Sequence, residues 1–291
     1  MHLLLPLLAS VLFVCALILV KRASLAGVGP VTVLFLANEF SAIAFSTLWV
    51  FGGAGQSWTL LWQPAVIALL FIFGLVFTFL AVEGGDASIA TPIFGVKVVI
   101  VAVFLTVAGV EQLPAAVWYA AALATFGIGL IQWTGRGHPR RVLFTILLAL
   151  SAATSYATFD VLVQQWAPPW GAGRFLPIVY WMVGLLSLVL IPWVEWSKLR
   201  DPRIRRFLLP GTLLIALQAI CIVVAISVFG DAARVNVVYA LRGLWGVTLA
   251  WAAAKRWGGA ESELPRGVLL TRLVGACLLT AAVTLVILSD R

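Results

Sequence analysis

Long apolar runs separated by short polar joints set the pattern of this chain. Ten runs fall near residues 3–20, 31–51, 59–82, 87–108, 115–133, 142–163, 175–194, 207–229, 235–254 and 267–289. A hydrocarbon core about 30 Å thick requires about 20 consecutive apolar residues in helical form. Within lipid every backbone N–H and C=O must be satisfied inside the segment, so runs of this length predict α-helices. The expectation is ten spanning helices. No joint is long enough to fold as a separate soluble domain, which confines any chemistry to the membrane interior or its two faces.

Composition strengthens this picture. Of 291 residues 63% are hydrophobic and 10% charged, where a soluble domain carries about 25% charged residues. The first run could be read as a secretory signal. No basic residue precedes its apolar stretch, however, and that stretch exceeds the usual apolar core of such a signal, so it reads as a spanning helix. Cys15, Cys221 and Cys277 all lie within apolar runs, which implies neither a disulfide framework nor a thiolate metal cluster.

The net charge of +8 would suggest nucleic acid as a partner of a soluble chain. Here the basic residues flank the bilayer, where anionic lipid headgroups account for them and no nucleic acid is implied. The odd joints hold Lys21 and Arg22, then Arg136, Arg140 and Arg141, then Lys198, Arg200, Arg203, Arg205 and Arg206, and finally Lys255, Arg256 and Arg266. The even joints and the termini hold only Arg174, Arg234 and Arg291. Cytoplasmic joints retain excess Lys and Arg, so the odd joints are expected inside and both termini outside a cell (inner) membrane. Trp166 and Trp170 on the outer side, with Trp193, Trp196 and Trp257 on the inner, sit where interfacial aromatic belts form.

The chain also echoes itself. Gly84, Gly85 and Asp86 lead into the fourth run, and Gly230 and Asp231 into the ninth, 145 residues later. Gly permits the tight turn and Asp can cap the following helix. The same offset carries Lys97 onto Arg242. A second echo pairs Glu111 and Pro114 before the fifth run with Glu263 and Pro265 before the tenth. Two five-helix repeats follow, residues 1–138 and 139–291. Because five is odd, the second repeat enters the membrane from the opposite side, giving the inverted repeat that alternating-access transporters use.

Three ionisable residues fall deep within predicted spans. Lys97 and Arg242 each lie 11 residues past their capping Asp, or about 16 Å along a helix, and Glu39 lies at similar depth. Charge at that depth costs upwards of about 2.5 kcal/mol and should face a bundle interior or a wet cavity with a partner. One reading pairs Glu39 with Lys97 as a structural lock between the second and fourth helices. It leaves Arg242 unexplained, because the offset maps Glu39 onto Gly184. The other reading has Lys97 and Arg242 hold an anionic group of a solute, with Glu39 as proton carrier or as counter-ion of the empty state. Arg offers a planar fork for carboxylate or phosphate and Lys a point charge. Thr91, Asn236, Tyr239 and Trp245 lie within two turns of these cations and could line the same cavity, or serve only in packing. Asp160 and Arg272 read as snorkelling residues near helix ends. Pro92, one turn before Lys97, could kink the fourth helix.

No GxxxxGK[ST] phosphate loop, HExxH, CxxC or GxSxG is present, so ATP-driven transport and the common hydrolases lack support and no cofactor is implied. Gly127-Ile128-Gly129 reads as an aid to helix packing. Taken together, Gly85-Asp86-Ala87 with Pro92, Glu111 before the fifth helix, and Asp231-Ala232-Ala233 opening the ninth make the chain resemble the drug/metabolite transporter superfamily, and within it the ten-helix EamA-type proteins. That resemblance implies a central cavity lined by the fourth and ninth helices and secondary transport of a small-molecule substrate. In the related triose-phosphate and nucleotide-sugar transporters, Lys or Arg on those helices engages substrate phosphate, and Lys97 and Arg242 look similar in placement. EamA-type chains often carry a basic residue in the second helix, where this chain has Asn38 and Glu39. The expected activity is carriage of a small organic anion or zwitterion. A proton-coupled exporter of amino acids or hydrophobic metabolites is the alternative, and a non-transporting membrane enzyme or assembly subunit is a third class.

Overall fold

The structure, a computed structural model, describes residues 2–83, 90, 93–132, 139–246, 248–249 and 266–289. Thr91, Pro92 and the Gly84-Gly85-Asp86-Ala87 turn lie outside the described residues. The principal helices are α1 Leu4–Leu25, α2 Pro30–Ser46, α3 Trp62–Glu83, α4 Lys97–Val107, α5 Ala115–Gln132, α6 Pro139–Trp170, α7 Ala172–Ser187, α8 Pro202–Phe229, α9 Ala232–Tyr239 and α10 Arg266–Ser289. Among the described residues there is no strand. Seven helices are long and apolar enough to cross a membrane: Leu4–Leu25, Pro30–Phe51, Trp58–Val82, Leu143–Trp170, Ala172–Trp193, Pro202–Phe229 and Leu270–Leu288. Helices α4, α5 and α9 stand where further spans were expected but fall short of that length. For α4 and α9 the cause is a break in the helix itself.

The chain packs as two compact units, Met1–Leu69 with Trp166–Gly230, and Leu70–Gln165 with Asp231–Arg291. Neither is a continuous stretch of sequence. In the first unit α1 lies along α8, α8 against α2, and α2 against α7. Phe45 and Tyr180 stack face to face between α2 and α7, 3.7 Å apart at 9°, while Asn38 Nδ2 donates to Ser187 Oγ at 2.8 Å in the buried contact between the same helices. Both helices tighten at their far ends into 3₁₀ turns, Thr47–Phe51 and Leu188–Trp193. In the second unit α5 and α10 form the most extensive pairing, with α4 and α9 packed on them. A Cβ on Gly127 would stand 2.8 Å from the Gly275 carbonyl oxygen, so this glycine lets the two backbones approach, as expected for small residues at membrane helix contacts.

Joints of like parity meet in the first unit. The Glu195 carboxylate accepts from the Gly29 N–H at 2.5 Å, and the Glu195 N–H donates to Thr32 Oγ1 at 3.0 Å, tying the first joint to the seventh. Gly29 precedes Pro30, so an acid here satisfies a first-turn N–H and complements the positive end of α2. On the even side, Ala54 N donates to the Trp170 carbonyl, Gln56 Nε2 to the Pro169 carbonyl and Trp170 Nε1 to Gln63 Oε1. Trp170 is therefore buried structure and not a belt anchor. Trp193 and Trp196 remain exposed. The three cysteines are free.

Candidate functional site

Lys97 opens α4. The turn before it, Gly95-Val96, carries three-residue hydrogen bonds, Val96 N to Ile93 O and Val98 N to Gly95 O, before Ile100 N to Val96 O restores the α pattern. Arg242 opens a helical segment after the turn Ala240-Leu241. There the bonds run Leu241 N to Val238 O, Gly243 N to Ala240 O and Trp245 N to Leu241 O. Adding 145 to every residue of the first set gives the second. Each helix thus breaks immediately before its cation, and the break owes nothing to a proline at the break itself. Shortening bonds from four residues to three rotates the carbonyls of that turn away from the helix axis. The Gly95 carbonyl uses this freedom to accept from Thr125 Oγ1 at 3.3 Å.

Lys97 Nζ makes an ion pair of 2.7 Å with Asp160 Oδ2, and the side chains are 15% and 5% exposed. The same carboxylate oxygen accepts from Asn236 Nδ2 at 2.7 Å, while the second amide hydrogen of Asn236 goes to Ala232 O at 2.8 Å. Two expectations are corrected here. The acid that meets Lys97 is Asp160, not Glu39, and Asp160 does not snorkel to an interface. The reason is helix length: α6 continues unbroken to Trp170, placing Asp160 ten residues, about 15 Å, from its end.

Facing aromatics complete the cluster. Tyr156 and Asp160 are four apart on α6, and Asn236 and Tyr239 three apart on α9, so each pair shares a helix face. Lys97 Nζ lies 5.8 Å from the centre of the Tyr156 ring, and the Arg242 guanidinium 4.4 Å from that of Tyr239, both within cation–π range. Gly74 on α3 leaves space for Tyr156, whose ring would stand 2.6 Å from a Cβ there. Asn236, which meets the Asp160 that holds Lys97, and Tyr239, which lies under Arg242, sit on the same face of α9, so two cations and one acid gather in one site. Trp245 is half-buried on the segment that Arg242 opens.

At the even-joint end of this unit, Asp231 caps α9 through the Arg234 N–H and pairs with the Arg234 guanidinium at 3.2 Å. Gln164 accepts from Ala232 N at 2.9 Å and donates to Glu111 at 3.5 Å. Burial and the neighbouring Asp231 charge push the Glu111 carboxyl above its ordinary range, against the opposing hydrogen bond from Gln164 and the charge of Arg234.

Glu39 belongs to the first unit and borders a shallow groove of about 320 Å³ with Ala42, Trp181, Gly184, Leu185 and Leu188. Its Oε1 is buried, and among the described residues no donor reaches it. Gly184, the residue that the 145-residue offset assigns to Glu39, is its neighbour: a Cβ there would stand 3.6 Å from Glu39 Oε2. Trp181 donates to Ser46 Oγ at 2.7 Å and stacks on Trp49, which in turn carries the Arg174 guanidinium.

The structure thus gathers Lys97, Asn236, Tyr239 and Arg242 in one unit and places Glu39 in the other. Asp160 and Tyr156 join the site although the sequence reading assigned them no part in it. Asp160 carried the same signal as Glu39, an ionisable residue inside an apolar run.

No family model matches the chain, and no curated protein matches it. Among solved structures 29 chains match. One, a crystal structure of another protein, aligns over 98% of this chain and 95% of that chain, with a TM-score of 0.69 and 15% identity, which shows a shared fold. The chain is a multi-pass helical membrane protein.

Proposed function

We propose that this protein is a secondary transporter that moves a small organic anion or zwitterion by alternating access, with Lys97 and Arg242 holding the negative group. The observation that carries the reading is the buried site with two cations and one acid, in which each cation directly follows a helix break. Interrupted helices at mid-membrane are how alternating-access carriers expose polar backbone and charge to a solute. Hydrogen bonds that coincide at a 145-residue offset support two inverted five-helix repeats, the architecture of the drug/metabolite transporter superfamily. The orientation that accompanies this reading puts both termini outside the inner membrane. A C-terminal reporter that is active only in the cytoplasm should therefore stay dark, and a bright signal would reverse the orientation.

A second reading within transport, proton-coupled export, is favoured by Glu39, an ionisable residue inside an apolar span whose buried Oε1 meets no donor among the described residues. Proteoliposomes separate the two. Glu39→Gln should abolish flux driven by a proton gradient and leave anion exchange intact. Full pH dependence in the variant would remove Glu39 from coupling. Exchange absent from the wild type and the variant alike would overturn the anion reading itself.

A further inference from the structure

We propose that residues 196–206, at the odd-joint end of the first unit, form a binding site for the headgroup of an anionic phospholipid. The segment carries Lys198, Arg200, Arg203, Arg205 and Arg206 within nine residues. The four arginines are exposed and the lysine is half-buried. Among the described residues none of the five enters an ion pair. The acids of this unit are Glu39, Glu195 and Asp201, and the two in or beside the segment are turned to backbone. Glu195 accepts from the Gly29 N–H, and Asp201 from the Arg203 N–H at 2.8 Å. The unit thus offers these cations no carboxylate of its own.

The cations stand on a fixed scaffold. Ile204 and Leu208 are buried against Ala23 and Val28, and Leu199 and Phe207 pack on the same cluster, so the apolar side of the segment is held to the unit. The Arg22 and Arg206 guanidinium groups lie 5.5 and 4.6 Å from the centre of the Phe207 ring, which gathers charge from two helices at one place. Depth favours lipid as the source of the anion. Helix α8 has 28 residues, about 42 Å, against a hydrocarbon core of about 30 Å. About two turns therefore extend past the core, and Arg203, Arg205 and Arg206 lie in the turns at its N-terminal end. Trp193 and Trp196 are exposed beside them, as indole rings are at headgroup level. A guanidinium takes a phosphate through a two-pronged contact, and an anionic leaflet concentrates phosphates in the plane where these cations lie.

Native mass spectrometry of the full-length protein, titrated in detergent with phosphatidylglycerol and with phosphatidylcholine, reads the preference. Wild type should bind phosphatidylglycerol more tightly. Arg203→Gln combined with Arg205→Gln and Arg206→Gln should cut that preference roughly a hundredfold. Lysine at the same three positions keeps the charge and should keep most of the preference. Arg136→Gln with Arg140→Gln and Arg141→Gln removes as much charge from another odd joint and should leave the preference largely intact. If the first triple variant fails to fold, the three single Arg→Gln substitutions carry the test, each costing about fivefold. A wild type without preference, or equal losses in the two triple glutamine variants, would overturn the site. Displacement of phosphatidylglycerol by an equal concentration of free glycerol phosphate would overturn the lipid assignment, leaving a site for soluble phosphate esters.

Discussion

Lys97→Met should lower the unfolding free energy by about 3–5 kcal/mol, the usual penalty for stranding one member of a buried ion pair. The stranded group is Asp160, which among the described residues would keep only the Asn236 amide as a donor. Adding Asp160→Asn should restore most of that stability, since replacing both members of a buried pair by neutral groups is often neutral or favourable. Asn suits this purpose better than Leu: its side-chain oxygen still accepts from Asn236, and leaving that amide hydrogen unsatisfied would cost about 1–3 kcal/mol. Denaturant titration of protein in mixed micelles measures both values. A single variant as stable as wild type would show that the pair in α4 and α6 does not hold the second unit together.

The second large effect concerns ligand. Arg242→Gln should weaken binding of an organic anion by tenfold or more, and Arg242→Lys by less, because Lys keeps the charge and loses the planar fork. The Arg242 guanidinium rests on the Tyr239 ring, which fixes its plane, so part of the loss in Arg242→Lys is lost orientation. Lys97→Gln is the companion variant, since its amide can still donate to Asp160 and spare the fold. If both cations grip one anionic group, the double variant should depart from additivity by about 0.5–3 kcal/mol. Isothermal titration of all four proteins closes the cycle. Strictly additive losses would separate the two cations into independent roles.

Most spans were legible because lipid imposes one demand, a run of apolar residues long enough to satisfy its own backbone. Ends were less so. The joint expected after residue 163 is helical to Trp170, with Pro168 and Pro169 inside its last turn. Those seven further residues carry Asp160 away from the helix end and beside Lys97. The 145-residue offset relates both cations, and the break before Arg242 leaves no mark in the sequence because Ala240 and Leu241 are ordinary helix formers. Only Gly95 hinted at one. Pairing Glu39 with Lys97 came from matching depth alone, and depth says nothing of which helices pack together.

The bond from Gly29 to Glu195 spans 166 residues and has a consequence for how the protein is made. At about 5–20 residues per second, the ribosome delivers the acid that caps α2 roughly 10–30 s after α2 itself. The first unit draws on Met1–Leu69 and Trp166–Gly230, and the second on Leu70–Gln165 and Asp231–Arg291. Neither can complete its packing while the opening half of the polypeptide is being inserted. During that interval the early helices have only lipid, the insertion machinery and each other for company, and Asp160 must enter the membrane before Asn236 exists. The first unit thus waits for residues up to Gly230 and the second for α10, which supplies the principal partner of α5.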